Sequence, residues 1–409
     1  MTSSWGDFVR VYLRIGVLGF GGPQAHIAML RDEIVDSRGW VDPGRFDEGL
    51  GLCEALPGPA SSQMAIYLGW IQRGWRGGLI SGICFLLPGL LIVLGLSEIW
   101  RHGQTIPSFT SALQTLQPVI AAVIWAFAWK LMRTRRNRWQ LVTAGLVMAG
   151  VLLNMAGVLP LQAGPLLVLA GLAQLLIRPS DSPPAITTDA ASPELPCSQA
   201  KQGPGHSGLM APLLLATAPL SFSPFDLIVQ LFSLFFKTGL LVFGGGLVII
   251  PLLEAQVLKL GWLSSSQFLD GVAIGQISPG PVVLTSAFVG YQAGWQHGGH
   301  ALALVCATVA TAGIFLPSFA FILVASPMLQ HLRQQQRVQR FLSGLLAGVP
   351  GAVAAAAVPL TTAAIQNGRV WMQPLLFVIA LWLSVIGKAK PLQLIGAAIV
   401  VGLVAEWLG

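Results

Sequence analysis

Two kinds of glycine-rich turn interrupt apolar stretches of this chain, and each kind occurs twice. One kind is found at Phe20-Gly21-Gly22-Pro23 and Phe243-Gly244-Gly245-Gly246, the other at Pro57-Gly58-Pro59 and Pro279-Gly280-Pro281. Glycine is costly to order in a helix and an interior proline removes a backbone hydrogen bond, so all four runs predict breaks in helices. A broken helix presents free backbone N–H groups at a new N-terminus, which stabilise an anion. The pattern predicts anion binding, with close helix packing through small residues as the alternative.

Charged and polar side chains flank the four turns. Arg14 and Lys237 stand at the same distance before the two Phe-Gly-Gly turns, and a positive charge in a medium of low dielectric constant attracts an anion strongly. The alternative for both is a helix-end side chain that extends to the membrane surface. Glu54 lies beside the first Pro-Gly-Pro turn, where a desolvated carboxyl group is a candidate proton carrier. Gln276 occupies the matching place in the second copy, and Ser278 adds a hydroxyl group there.

The composition places these turns in a membrane. Hydrophobic residues make up 54% of the 409 residues and charged residues only 10%, against about 25% charged residues in a typical soluble domain. The formal net charge of +7 comes from basic residues in short loops, which is typical of membrane topology and not of nucleic-acid binding. The sequence has no phosphate-binding loop, nucleophile–base set or metal-ligand pattern. Neither an enzyme nor a metal or other cofactor is therefore predicted.

An ordered series of matches indicates an internal duplication. Beyond the turns, Gly16 corresponds to Gly239, and a Leu-Pro pair ending at Pro88 recurs at Pro317. Between them, Trp40, Phe46, Glu48 and Gly49 correspond to Trp262, Phe268, Asp270 and Gly271. The prediction is two homologous halves, residues 1–178 and 209–409. A flexible cytoplasmic linker, residues 179–208, joins them and is rich in Pro, Ser, Thr and Ala.

Loop charges predict that the two halves are inverted relative to each other. The loop at 101–111 holds one Arg and the loop at 130–138 holds five Lys or Arg. In the second half the order is reversed, and the first of the two matching loops has more basic residues than the second. Under the positive-inside rule, equivalent loops then face opposite sides. Either residues 209–222 form an extra crossing, or the first segment of each half is a re-entrant hairpin broken at its glycines. The expected fold is an all-α polytopic membrane protein with about 10–13 transmembrane segments and glycine- or proline-broken helices.

The motifs resemble those of a known family. Phe-Gly-Gly-Pro-Gln at 20–24, Glu-Ala-Leu-Pro-Gly-Pro at 54–59, Phe-Gly-Gly-Gly at 243–246 and Ile-Ser-Pro-Gly-Pro at 277–281 are similar to segments of the chromate ion transporter (CHR) family in its long two-domain form. The resemblance covers both halves. It implies a multi-pass protein of the cytoplasmic membrane that exports chromate with the proton-motive force and gives chromate resistance. It also adds Gln24 to the substrate-binding residues.

Differences between the copies predict one asymmetric anion site instead of two equivalent sites. Gly246 stands where the first half has Pro23, and Gln276 where it has Glu54. The expected partners are the lipid bilayer and chromate or a similar dianion. Sulfate or another oxyanion stays open as the substrate, and a homodimer is left open. A passive anion channel is the alternative from another class, and a membrane-embedded reductase ranks last because the sequence has no electron-carrying arrangement.

Overall fold

The computed structural model of the protein describes residues 4–20, 22–133, 137–156, 158, 163–176, 223–242, 246–324, 335–366, 371–387 and 389–407. Every regular element in this part of the chain is helical, which confirms the predicted all-α class. The predicted linker at 179–208 and the segment at 209–222 lie outside the described residues.

The two halves contribute matching sets of helices. The first set is α1 (Trp5–Leu18), α2 (Pro23–Arg31), α3 (Pro43–Ala55), α4 (Ala60–Gly103), α5 (Pro107–Arg133), α6 (Arg138–Met155) and α7 (Ala163–Leu176). The second set is α8 (Pro224–Leu241), α9 (Ile249–Lys259), α10 (Ser265–Ile277), α11 (Thr285–Leu323), α12 (Gln336–Gln366), α13 (Met372–Ile386) and α14 (Pro391–Trp407). A π-helical turn, Asp32–Ser37, continues α2, and 3₁₀ turns at Gly246–Val248 and Val282–Leu284 precede α9 and α11.

The glycine-rich runs break the helices where their residue types predict. In the first half the breaks separate α1 from α2 and α3 from α4, and in the second half they separate α8 from α9 and α10 from α11. The prediction of glycine- and proline-broken helices is confirmed. Each half therefore begins with pairs of short helices joined by tight turns.

A further break in each half is a kink where the sequence indicates a loop. The basic residues Arg73 and Arg76 indicate a loop before the Leu-Pro helix, and the chain turns back there, with non-helical angles at Arg73 and Gly74 inside α4. The hydroxyl group of Ser81 donates across this turn to the carbonyl oxygen of Ala65 over 2.8 Å. The equivalent turn in α11 lies at Gly298 and Gly299. Gly74 and Gly299 adopt nearly the same angles, with φ +66° and +70° and ψ −160° at both, angles that glycine tolerates readily. α4 and α11 are therefore each a pair of antiparallel helical arms joined by a tight turn.

Several helices match a lipid bilayer in length and polarity. Among the described residues, five are long and apolar enough to cross it: Ala60–Gly103, Pro107–Arg133, Pro224–Leu241, Val282–Leu323 and Gln336–Gln366. Shorter apolar helices lie at Ala163–Leu175, Met372–Ile386 and Pro391–Trp407. A chain with this many apolar helices is a multi-pass membrane protein.

The halves exchange their last two helices. α5 of the first half packs against α13 and α14, and α12 of the second half packs against α6 and α7. Small residues allow the close approach: Gly351 of α12 lies against the backbone of Ala144 on α6, and Gly402 of α14 lies against Ala112 on α5. Such contacts are typical of helices packed in membranes. Each half thus packs one long helix against two helices of the other half, as expected for units related by a two-fold axis. Neither half can be separated without breaking both sets of contacts.

The long kinked helices support the first helix of each half. α1 packs on α4 through Gly16, which lies against the carbonyl group of Phe85, and α8 packs on α11 through Gly239, which lies against the carbonyl group of Ile314. α4 and α11 also pack against each other. This arrangement brings the turn after α1 and the turn after α8 to the centre of the interface between the halves.

Candidate functional site

The helices that follow the glycine-rich turns begin without side-chain caps. Within the described residues, no side chain caps the start of α2, α4 or α9, or the 3₁₀ turn that leads into α11. In contrast, Ser4, Asp42, Ser223 and Ser264 cap α1, α3, α8 and α10. A helix start has up to four backbone N–H groups without intrahelical partners and carries a partial positive charge. The turns therefore hold helix starts whose donors are free of side-chain acceptors.

Each Pro-Gly-Pro turn is hydrogen-bonded to the Phe-Gly-Gly turn of the other half. The amide of Gly58 donates to the carbonyl oxygen of Val242, with 2.6 Å between the nitrogen and the oxygen. The amide of Gly280 donates to the carbonyl oxygen of Gly19 over 2.8 Å. Gly19 and Val242 immediately precede Phe20 and Phe243. The two bonds are thus the same contact made twice in opposite directions.

These contacts define one site, which we call the glycine-turn cluster. Its described members are Gly19, Gly22, residues 57–59, Val242, Gly246 and residues 279–281. Gly246 also approaches Val282, so that the two turns of the second half contact each other. Gly58 has φ +127° and Gly280 has φ +94°, angles that residues with a Cβ atom rarely adopt. Glycine is therefore required at the centre of both Pro-Gly-Pro turns.

The two kinked helices form the floor of the cluster. A Cβ atom added to Gly58 would overlap the hydroxyl oxygen of Ser318 on α11, and one added to Gly89 on α4 would overlap the carbonyl oxygen of Pro279. Ser318 follows Pro317 and Gly89 follows Pro88, so the floor obeys the same repeat. One half supplies a hydroxyl group at this place, and the other supplies only backbone.

Buried polar atoms without partners accompany the turns. The hydroxyl oxygens of Ser61, Ser62, Ser286 and Ser318 have no hydrogen-bond partner among the described residues, and the four side chains are fully buried. Gln63 donates from Nε2 to the carbonyl oxygen of Pro57 over 2.6 Å, but its Oε1 has no partner. Most buried polar groups in proteins are hydrogen-bonded. The amide oxygen of Gln63 only accepts, but the four hydroxyl groups are able to donate, and such donors beside free helix starts are suited to holding an oxyanion.

His26 joins the cluster from α2, and the sequence pattern does not reveal it. Its Nε2 lies 2.8 Å from the carbonyl oxygen of Gly19, the same atom that accepts from Gly280. A carbonyl oxygen only accepts, so Nε2 carries the hydrogen. The buried Nδ1 has no partner among the described residues, and the ring packs edge-on against Phe85. The only sequence signal is its place shortly after the first Phe-Gly-Gly turn.

Comparison with known proteins identifies the family. The family model described as chromate transporter matches residues 6–176 and 229–403. The chain belongs to the chromate transporter family. The two matched regions coincide with the two repeated halves, and the family consists of transporters, so this protein is a transporter and not an enzyme. The family resemblance drawn from the motifs is confirmed.

Individual relatives span nearly the whole chain. A probable chromate transport protein of Synechococcus elongatus is 29% identical over 391 residues, which are 95% of this chain and 92% of the relative. The chromate transport protein of Pseudomonas aeruginosa is 30% identical over 351 residues, with coverage of 85% and 79%. That of Cupriavidus metallidurans is 29% identical over 400 residues, with coverage of 98% and 92%. No solved structure matches this transporter significantly.

The predicted site residues that the structure describes fall into three groups. The first group is in the cluster and consists of Gly22, Gly246 and the turns at 57–59 and 279–281, with Pro23 following Gly22 as the first residue of α2. The second group is Gln276 and Ser278 at the end of α10, where the hydroxyl group of Ser278 donates to the carbonyl oxygen of Gly275, and Nε2 of Gln276 has no partner among the described residues. Gly21, Gly244 and Gly245 lie outside the described residues.

The third group is exposed on the protein surface. The side chains of Arg14, Gln24, Glu54 and Lys237 are all exposed, in contrast to the fully buried serines of the cluster. The four residues therefore flank the glycine-turn cluster and do not line its buried part. Their predicted roles in substrate binding and proton coupling stay predictions.

Proposed function

We propose that this transporter exports chromate, or a closely similar tetrahedral dianion, across the cytoplasmic membrane with the proton-motive force, and so gives chromate resistance. The observation that carries the proposal is the glycine-turn cluster, where uncapped helix starts from both halves meet unpaired buried hydroxyl groups. All of these groups are hydrogen-bond donors, and none of the described members of the cluster is a carboxylate. An oxyanion with four acceptor oxygens satisfies several such donors at once.

The proposed binding residues follow from this placement. The backbone donors come from the first residues of the helices that follow the four turns, because proline has no N–H and the amides of Gly58 and Gly280 already donate within the protein. The side-chain donors come from Ser61, Ser62, Ser286 and Ser318. His26 adds a buried ring whose Nδ1 becomes a donor if the ring takes up a proton. Because the halves differ at Gly89 and Ser318, the bound anion meets unequal surroundings, as the sequence comparison predicts for one asymmetric site.

Uptake into everted membrane vesicles tests the function. Energised vesicles that contain the protein are expected to accumulate chromate above its external concentration, which an uncoupler abolishes. Sulfate and molybdate, tested separately, measure the substrate preference. The assay is repeated with valinomycin and potassium, which abolish the membrane potential and leave the pH gradient. Accumulation that is then lost would replace the transporter by a passive channel, since a channel lets a dianion follow the membrane potential but cannot use a pH gradient. Uptake equal to that of vesicles without the protein, at verified protein levels, would refute the proposal.

Replacement of Ser318 by alanine is expected to weaken substrate binding. The hydroxyl group points at Gly58 and has no protein partner, so its loss removes one hydrogen bond to the anion, worth about 0.5–1.5 kcal/mol. We expect KM for chromate to rise about 2–10-fold with little change in protein level. The matched control is Ser97→Ala, since Ser97 is equally buried on α4 but donates to the carbonyl oxygen of Val93. An unchanged KM in Ser318→Ala would remove this hydroxyl group from the site.

Lys237 is proposed to attract the substrate from the surface. Its side chain is exposed on α8, six positions before Phe243, so it acts through its field and not through direct contact. The Lys237→Gln variant is expected to have a raised KM at low ionic strength and a nearly normal KM at high salt, since salt screens exposed charges. Lys259→Gln, at another exposed lysine, is the control. A salt-independent loss, or no loss, would contradict this role, and Arg14 is proposed to act in the same way.

A further inference from the structure

Glu254 is a buried acid that the anion site does not use. Its side chain is only 1% exposed on α9, between the buried apolar residues Leu253 and Val257. Among the described residues, its Oε1 has no hydrogen-bond partner and the carboxyl group forms no ion pair. Glutamate is almost never fully buried without a partner, because an isolated charge in an apolar interior is very costly. The carboxyl group is therefore held in surroundings that favour its neutral, protonated form.

The elements packed against α9 do not neutralise this acid. They are α7, α8, α10, α12 and the 3₁₀ turn at Gly246–Val248. The described titratable groups on these elements and on α9 itself are Asp226, Lys237, Lys259, Asp270, Arg337 and Arg340. Asp226, Lys237, Lys259 and Arg337 are exposed, Arg340 is half-buried, and Asp270 is bound elsewhere. None of them lies within ion-pair distance of Glu254.

The other acids of the transporter have different environments. Asp270 is buried, but its two oxygens accept hydrogen bonds from Nε1 of Trp100 and Nε2 of Gln117, each over 3.0 Å. These two donors hold the carboxyl group of Asp270 in place, so Asp270 ties α10 to α4 and α5. Glu54 is exposed. Glu254 alone among these three is both buried and unpaired in the described part of the chain.

The position of Glu254 links it to the anion site. α9 begins directly after the second Phe-Gly-Gly turn, and Glu254 lies eight residues beyond Gly246, about 12 Å along the helix. At the equivalent position of the first half is Arg31, which is exposed and pairs with Asp47 over 3.1 Å. The acid is thus a feature of one half only, on the helix whose free start belongs to the glycine-turn cluster. A movement of α9 changes the anion site and the surroundings of the acid together.

We infer that Glu254 carries the proton whose inward movement drives oxyanion export, an inference that rests on the proposed function. The carboxylate takes up one proton from the outer side and becomes the neutral acid. It later releases the same proton to the cytoplasm while the anion moves outward. No other bond forms or breaks. The anion binds at the start of α9 and the proton binds to Glu254 farther along the same helix. The two are coupled because a movement of α9 changes both places.

The test compares driven accumulation with exchange in everted vesicles. A pH gradient drives net chromate uptake, whereas exchange of labelled for unlabelled chromate needs no net proton movement. The Glu254→Gln variant mimics the neutral acid and is expected to lose driven accumulation down to the level of vesicles without protein, while it retains exchange. The control is Glu48→Gln, which alters an exposed acid outside the proposed site and is expected to match the wild type in both assays. Glu54→Gln tests the alternative proton carrier.

Each other outcome overturns the inference. Wild-type accumulation by Glu254→Gln would show that this acid does not carry the proton. Loss of both accumulation and exchange at a normal protein level would indicate a structural or binding role instead. Loss of accumulation with retained exchange in Glu54→Gln would move the role to Glu54. If Glu254→Gln fails to insert, Glu254→Asp decides: a shifted pH profile of accumulation supports the inference, and an unchanged one overturns it. Failure of the proposed function itself is distinct, because the wild type would then show no accumulation driven by the pH gradient.

Discussion

The Gly58→Ala variant is expected to reach the membrane but to accumulate chromate no better than vesicles without the protein. Gly58 has φ +127°, where a side chain costs about 1–3 kcal/mol in backbone strain. The added methyl group would also overlap the hydroxyl oxygen of Ser318 and lie 2.5 Å from Nε2 of Gln63. The two side chains are able to rotate away, but the backbone strain at φ +127° is relieved only when the turn moves, and the hydrogen bond to Val242 then lengthens. The substitution therefore changes the helix start after the turn, the contact with Ser318 and the hydrogen bond between the halves.

The control for Gly58→Ala separates strain from the site. Gly39 also has a positive φ, +59°, but nothing lies within 4 Å of a Cβ atom added there. Gly39→Ala is expected to lower stability slightly and to keep transport. Gly280→Ala is expected to fall between the two, because its added Cβ atom would lie 3.2 Å from Cδ1 of Leu284, a side chain that is able to shift. Normal accumulation by Gly58→Ala, or an equal loss in Gly39→Ala, would contradict the role of the cluster.

The Gly351→Ala variant is expected to destabilise the whole protein. Gly351 lies where α12 crosses α6, and a Cβ atom there would overlap the backbone carbonyl group of Ala144. Backbone cannot rotate away as a side chain does, so the two helices must separate. Overpacking of this kind costs about 1–3 kcal/mol. Because this crossing is one of the contacts through which the halves exchange helices, we expect a lower melting temperature in detergent and less protein in the membrane.

A neighbouring glycine provides the matched control. Gly145 follows Ala144 on α6, but nothing lies within 4 Å of a Cβ atom added to it. Gly145→Ala is expected to leave the melting temperature unchanged or to raise it, because alanine is favoured over glycine in a helix by about 1 kcal/mol. Equal melting temperatures for the Gly351 and Gly145 variants would show that the crossing of α6 and α12 does not limit stability.

The glycine-turn cluster depends on both copies of the repeat. Each Pro-Gly-Pro turn is hydrogen-bonded to the residue that precedes the Phe-Gly-Gly motif of the opposite half. Both hydrogen bonds therefore lie at the interface between the halves. The inversion of the halves, inferred from loop charges, stays a prediction. It is the arrangement in which such reciprocal contacts would serve alternating access.

Local chemistry determines much of what the sequence reveals. The membrane class follows from composition and from the length of the apolar stretches. The bilayer sets both requirements, whatever the packing of the helices. The helix breaks at Gly22, Gly58 and Gly280 follow from residues that disfavour helix at those points. The duplication is visible because both copies keep these residues in the same order. Each of these features depends on residues close together in the chain, so the sequence by itself determines it.

Tertiary structure alone decides which residues share the site. The sequence marks His26 only by its place after the first Phe-Gly-Gly turn, and it gives no signal for Ser318, which joins the cluster because α11 packs against the distant turn at Gly58. Glu54 and Glu254 are the same residue type in apolar surroundings, yet one is exposed and the other is buried without a partner. That difference depends on which helices pack over each glutamate, and this packing is set by the exchange of helices between the halves. Burial and hydrogen-bond pairing are properties of the packed molecule. The glycine-rich turns therefore predict where the candidate site lies, but they do not predict which side chains line it.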